Sequence, residues 1–319
     1  MSLNDRPLRL GVLDLVPVLE ERDDAAALEQ AATLARTAER LGFSRYWVAE
    51  HHAMPNLACP APEVLLAHVG ARTERIRIGS GALLLPHYEP LKVAESFRLL
   101  AALYPGRVDL GLGRAPGGDA HASMALSGNY LENVRRYPDK LRAVAELLQD
   151  RYAFEGESVV ARPRPAVPPE LWLLGTNRKS AEFAARFGTG YAFGQFMSDA
   201  DGEETLKAYR DAFVSSAFGS VPRAIVAIGV LCAETEEEAQ RLATDSGMLF
   251  RGETTLSGKE AAPISGDRLL VGTPEKVRGR LEQLSRRFGV DEFLIVTMGP
   301  DYDRRLRSFE QLVRAWDAV

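Results

Sequence analysis

The chain has 319 residues and a net charge of -5; 46% are apolar and 26% charged, the balance of a globular enzyme long enough to bury a large core. Its basic residues are scattered, which argues against nucleic acid as a partner, and no apolar run approaches the ~18 residues of a membrane span. Cys59 and Cys232 are the only cysteines and match no metal or redox spacing. With a polar stretch over 1–9 that lacks an apolar signal core, they predict a cytoplasmic protein without a disulfide framework.

In chain order, residues 8–13 read as a short apolar strand ending at Asp14, and 25–41 as a helix with Leu28, Ala31, Ala35 and Ala38 on one face and Gly42 as its C-terminal cap. The second strand begins at Arg45 and stops at Glu50, His51 and His52. A helix over 63–73 follows, then a strand over 75–85 carrying Gly79-Ser80-Gly81, and a helix from Pro90 to about 103. The fourth strand, 107–112, runs into Gly113-Arg114-Ala115-Pro116-Gly117-Gly118. Helical spacing returns over 131–150.

The remaining strands are 171–174, 191–193, 223–232 and 292–297. The remaining helices are 177–187, 200–218, one capped by Thr235 and Glu238, one begun by Thr273-Pro274-Glu275, and 302–316. Eight strands, each followed by a helix, predict a parallel sheet and, by count, a closed (β/α)8 TIM barrel in one domain over 1–319; an open doubly wound sheet is the alternative. The stretch near 251–270 lacks periodicity, and a lid over 252–266 is expected there.

Three stretches bear on chemistry. Glu50, His51 and His52 end a strand, and parallel α/β folds build their sites at strand carboxyl ends; the plain reading is that they cap the strand. Arg114, a permanent cation at the end of the fourth strand, suits a phosphate, whereas the glycines around it have the wrong spacing for a dinucleotide fingerprint. Leu174-Gly175-Thr176-Asn177-Arg178-Lys179-Ser180 ends a strand and opens a helix whose N-terminus favours an anion; ordinary capping by Thr176 or Asn177 is the alternative. No metal site is expected, since adjacent His51 and His52 point apart and His68, His87 and His121 form no ligand pair.

Taken together, Trp47-Val48-Ala49-Glu50-His51-His52, Gly79-Ser80-Gly81-Ala82-Leu83-Leu84-Leu85-Pro86, residues 106–114, Leu173-Leu174-Gly175-Thr176-Asn177 and Val271-Gly272-Thr273-Pro274-Glu275 resemble the single-subunit branch of the bacterial-luciferase-like flavin-dependent monooxygenases. The resemblance spans nearly the whole chain and implies the same (β/α)8 barrel. It also implies an enzyme that receives FMN as FMNH2 from a separate flavin reductase, adds dioxygen, and oxidises a lipophilic small molecule through a flavin peroxide. On this resemblance His51 is the catalytic histidine, and His52 is a second member of that site which holds its loop or meets the cofactor edge. Arg114, Thr176, Asn177 and Ser180 bind the phosphate, and Gly81 and Ala82 lie against the flavin through a non-prolyl cis peptide. A homodimer is expected. Two departures stand out: Gly113 replaces the reactive cysteine of bacterial luciferase, and Thr176 an acidic residue. A deazaflavin- or nicotinamide-dependent reductase and a non-catalytic flavin-binding protein are the other functions this barrel suggests. Trp47, Phe193, Phe196 and Met197 are candidates for an apolar substrate pocket, with core packing as the alternative for the set and the preferred reading of Trp47.

Overall fold

A computed structural model describes residues 8–19, 23–250 and 266–317. Eight parallel strands close into a barrel: β1 (Arg9–Asp14), β2 (Arg45–Val48), β3 (Arg77–Ser80), β4 (Val108–Gly113), β5 (Glu170–Gly175), β6 (Gly190–Gly194), β7 (Ala224–Cys232) and β8 (Glu292–Val296). Each pairs with the next, and β8 returns to β1 with Arg9 opposite Glu292. The expected barrel is thereby closed and the alternative open sheet excluded.

Side chains alternate across the barrel wall, as the two-residue period of a strand requires. Leu13, Trp47, Trp172, Ala192, Ile225, Leu294 and Val296 pack inside. Val12, Tyr46, Val48, Phe193, Val226 and Ile295 face the surrounding helices. The interior admits bulk in some places only because glycine clears it elsewhere: a Cβ on Gly111 would stand 2.1 Å from the Ser80 carbonyl oxygen.

The amino-terminal end of the barrel is closed by charge. Arg45, at the start of β2, donates to Glu292 at 2.6 Å and to Asp109 at 2.7 Å, and all three are buried. Arg77 bridges Asp109 and Glu170, and Arg223 reaches Glu170 at 2.7 Å. Trp47 Nε1 donates to Asp109 at 2.8 Å, so Trp47 is part of this plug. Such an end secures a barrel; chemistry belongs at the other.

The helices are α1 (Asp24–Arg40), α2 (Pro62–Gly70), α3 (Pro90–Leu103), α4 (Ala120–Ser127), α5 (Tyr130–Arg135), α6 (Tyr137–Leu147), α7 (Arg178–Phe187), α8 (Gly202–Asp211), α9 (Glu236–Phe250), α10 (Pro274–Phe288) and α11 (Tyr302–Asp317). The single helix expected over 131–150 is two, broken at Arg136 because Pro138 has no N–H to donate and its ring displaces the preceding turn. The helix expected over 200–218 stops at Asp211; beyond it Val214 N–H bonds to Ala185 O and Ser216 Oγ to Gly188 O at the end of α7. The unpredicted α4 starts as soon as the loop's glycines end, with Asp119 as its N-cap.

Of the insertion expected near 251–270, and of the lid expected over 252–266, residues 251–265 lie outside the described residues. Residues 269–270 are not part of a loop. They open a strand, Leu269–Gly272, that pairs in parallel with the carboxyl half of β7.

Candidate active site

Residues of β1 to β7 and of the loops at their carboxyl ends surround a cavity of ≈ 680 Å³, within the range of small-molecule and cofactor sites. Its floor is apolar, with Leu13, Ala49, Leu174, Ala192 and Ala227, and its walls carry both histidine and cationic chemistry.

On the β2 side the chain leaves the strand extended, so Glu50 and His52 turn to one side and His51 to the other. Glu50 is buried, and its carboxylate accepts from His52 Nε2 at 2.7 Å, Leu84 N–H at 2.9 Å and Tyr88 OH at 3.0 Å. This knot ties the end of β2 to the segment after β3, where the Gly81–Ala82 peptide is cis and lines the cavity. A Cβ on Gly81 would meet Leu13 Cδ1 at 2.5 Å, so only glycine lets that backbone reach the barrel axis.

His51 lines the cavity and, among the described residues, its buried Nδ1 has no hydrogen-bond partner. Burial, with a smaller contribution from neighbouring His52, pushes its pKa down to about 4. The imidazole is therefore neutral at pH 7, its pKa well below the ~6.5 of an ordinary histidine. His52 does not line the cavity: its ring is held by Glu50, and its backbone N–H donates to Gly117 O at 2.8 Å.

Arg114, Thr176, Asn177 and Ser180 all meet in the same cavity, although they come from β4 and β5. Among the described residues the Arg114 guanidinium has no ion-pair partner, and it shares a smaller recess with Lys179 and Ser180. Asn177 caps α7: its side chain accepts from Ser180 N–H at 3.2 Å, and Ser180 Oγ donates to Asn177 O at 2.6 Å. The capping alternative is thus realised by Asn177, and Lys179 and Ser180 of the first turn line the recess. Gly175 makes this close turn, since a Cβ there would sit 2.1 Å from Ser180 Oγ.

Of the candidate substrate residues, Phe196 and Met197 line the cavity. Trp47 and Phe193 are fully buried in the core, one inside the barrel and the other outside it. The opposite wall is made by Tyr130, Leu131 and Val134 of α5, with Leu131 69% and Met197 61% exposed at the mouth.

Residues 8–292 match the family model of the luciferase-like monooxygenases. The chain belongs to that family. YwcH of Bacillus subtilis (strain 168), an uncharacterized protein, is 39% identical over an alignment covering 96% of this chain and 98% of its own length. The N-acetyl-S-alkylcysteine monooxygenase of the same organism is 35% identical, covering 91% and 92% of the two chains. The crystal structure of apo-MsnO8 superposes with a TM-score of 0.89 at 36% identity, covering 98% of this chain and 99% of that one.

In this luciferase-like monooxygenase several site residues and contacts escaped the sequence reading. Glu50 is read at the strand end, but its pairing with His52 is missed, although the two-residue period alone allows it. Lys179 stood in a quoted motif without a role. Tyr88, Tyr130, Leu131 and Val134 left no local signal, because helices and loops far apart in sequence bring them to the rim. Among the described residues no group of three His, Cys, Asp or Glu side chains could hold a metal ion, and no helix is long and apolar enough to cross a membrane.

Proposed function

We propose that this luciferase-like monooxygenase takes FMNH2 from a separate flavin reductase and uses dioxygen to oxidise a lipophilic small molecule. One observation carries the reading: a single cavity holds the half-buried His51 imidazole, with its buried Nδ1, and the Arg114 guanidinium, both groups without a partner among the described residues, beside a helix N-terminus. The donor set suits a flavin phosphate. Arg114, the Thr176 hydroxyl, the Asn177 amide and the first turn of α7 offer charge and N–H groups to a dianion, with Lys179 adding charge from the recess. Ser180 joins them by rotating its hydroxyl away from Asn177 O.

Reduced flavin held there would supply two of the four electrons that reduce dioxygen and the substrate the other two, one oxygen atom entering the substrate and the other leaving as water. The chain's own groups orient and protect that chemistry. The backbone at Gly81 and Ala82 gives the ring system a flat wall that no side chain obstructs. Leu131, Val134, Phe196 and Met197 exclude water and favour an apolar substrate. His51 holds or moves a proton at Nδ1, becoming more basic when negative charge develops beside it. The bond between Glu50 and His52 holds the strand end with His51 on the cavity.

The protein is further proposed to act in the cytoplasm as a homodimer, which sedimentation at micromolar concentration checks. The functional test combines the protein, a separate flavin reductase, FMN, NADH and 18O-labelled dioxygen with a panel of lipophilic substrates, including S-alkyl thioethers. One labelled oxygen in the product by mass spectrometry is expected. Tight deazaflavin binding without oxygen incorporation would make the protein a reductase, and stable FMN binding without product a flavin carrier.

A further inference from the structure

The loop that carries Arg114 has little rigidity of its own. Gly113, Gly117 and Gly118 account for half of the run from Gly113 to Gly118, and Arg114 and Ala115 are exposed. Its position is set by three hydrogen bonds from outside. Tyr130 OH donates to Arg114 O at 2.6 Å, His52 N–H to Gly117 O at 2.8 Å, and the His87 ring through Nε2 to Pro116 O at 2.8 Å.

Two of these three restraints run through His87. The Tyr130 ring is stacked on the His87 ring, with centroids 5.3 Å apart and planes at 29°. Because the Pro116 carbonyl can only accept, Nε2 carries a proton; Nδ1 faces Ser127 Oγ at 3.0 Å, at the end of α4. His87 itself sits in a short 3-10 turn, Leu85–His87, just after Leu83 and Leu84 pair with Leu112 and Gly113 of β4. One half-buried imidazole therefore joins the segment after β3, the Arg114 loop, α4 and α5, without lining the cavity itself.

We infer that His87 is a positioning residue for the phosphate end of the cavity, holding Arg114 where it meets an anion by bonding Pro116 O and bracing Tyr130. The inference rests on the FMN reading above. It assigns His87 no contact with cofactor or substrate, so its effect passes through Arg114 alone.

The test measures binding of oxidised FMN and of riboflavin, which lacks the phosphate, by quenching of flavin fluorescence. His87→Phe keeps an aromatic ring against Tyr130 and removes the bond to Pro116 O; His87→Gln keeps a donor at the Nε2 position. Expected is a roughly fivefold weaker FMN affinity in His87→Phe, about the worth of one hydrogen bond, with riboflavin changed by less than about twofold. His87→Gln should stay within about twofold of the wild type for both. In the Arg114→Ala background His87→Phe should add nothing, because coupled residues lose one effect once.

Equal loss of FMN and riboflavin in His87→Phe, unchanged FMN affinity, or a full additional loss on top of Arg114→Ala would each overturn the inference. Should His87→Phe fail to fold, Tyr130→Phe removes the neighbouring restraint by one oxygen atom and must show the same phosphate-selective loss. A wild-type protein that binds FMN no better than riboflavin would remove the phosphate reading itself, and the inference with it.

Discussion

His52 and Glu50 lie one residue apart, and the 2.7 Å bond between His52 Nε2 and Glu50 Oε1 determines which way the residue between them points. With its two neighbours bonded to each other and to Leu84 N–H and Tyr88 OH, His51 is left facing the cavity. Glu50 thus affects the site through three donors, His52 Nε2 and Leu84 N–H buried and Tyr88 OH half-buried. Replacing it by alanine strands all three, and a stability loss of about 3 kcal/mol or more is expected in urea unfolding. A loss below about 1 kcal/mol would mean that water or a shifted side chain replaces the carboxylate.

His51 and Arg114 line the same cavity but come from β2 and β4, so proton handling and phosphate binding are separable. His51→Ala should keep FMN affinity within about tenfold and lose ~10²-fold or more in product formation, the size of a missing general base. Arg114→Ala should do the reverse, weakening FMN binding with a smaller effect on turnover at saturating flavin. Normal turnover in a folded His51→Ala protein would leave His51 a packing residue at the strand end.

The burial of His51 also has a pH signature. Its folded-state pKa of about 4 lies below the ~6.5 of an unfolded imidazole, so the unfolded chain binds more protons between these values. Its contribution is present in full above pH ~6.5 and is lost as pH falls toward 4, by up to about 3 kcal/mol. Urea midpoints followed from pH 7 to 4 should fall less steeply in His51→Gln than in the wild type. Parallel curves would show that the imidazole gains solvent or a partner in solution.

At the closed end of the barrel, Arg45 stands between Asp109 and Glu292 with all three buried. Arg45→Met removes one cation from two carboxylates and should cost about 3–5 kcal/mol, while flavin affinity in the folded fraction is unchanged because the site is at the other end. Chemical denaturation and a binding titration on the same preparation separate the two effects. Weakened flavin binding in a fully folded Arg45→Met protein would show that the two ends are coupled.

Gly175→Ala tests the turn that opens the phosphate site. Its added Cβ would stand 2.1 Å from Ser180 Oγ and 2.3 Å from Ser180 Cβ, so the capping box of α7 must open. Expected is a loss of about 1–3 kcal/mol in stability together with weaker FMN binding. Unchanged FMN affinity would show that the first turn of α7 does not hold the phosphate.

Much of this molecule is written locally. Leu10 and Val12 alternate with Gly11 and Leu13, Ala31, Ala35 and Ala38 recur at helical spacing, and Gly188 and Gly289 sit at left-handed caps. Such signals depend only on neighbours in the chain, which is why all eight barrel strands could be located from sequence. The errors fell where distant contacts outweigh local preference: 212–218 bonds to the end of α7 instead of extending α8, and Phe193 packs in the core outside the barrel rather than on a substrate. The site divides in the same way. His51, Arg114, Thr176 and Asn177 are legible because strand ends must converge on one rim once the barrel closes. The neutrality of His51, the Glu50–His52–Tyr88 knot and the hold of His87 on Pro116 O arise only in the tertiary structure. Burial and hydrogen bonding between residues tens of positions apart are properties of the packed barrel, not of any stretch of chain.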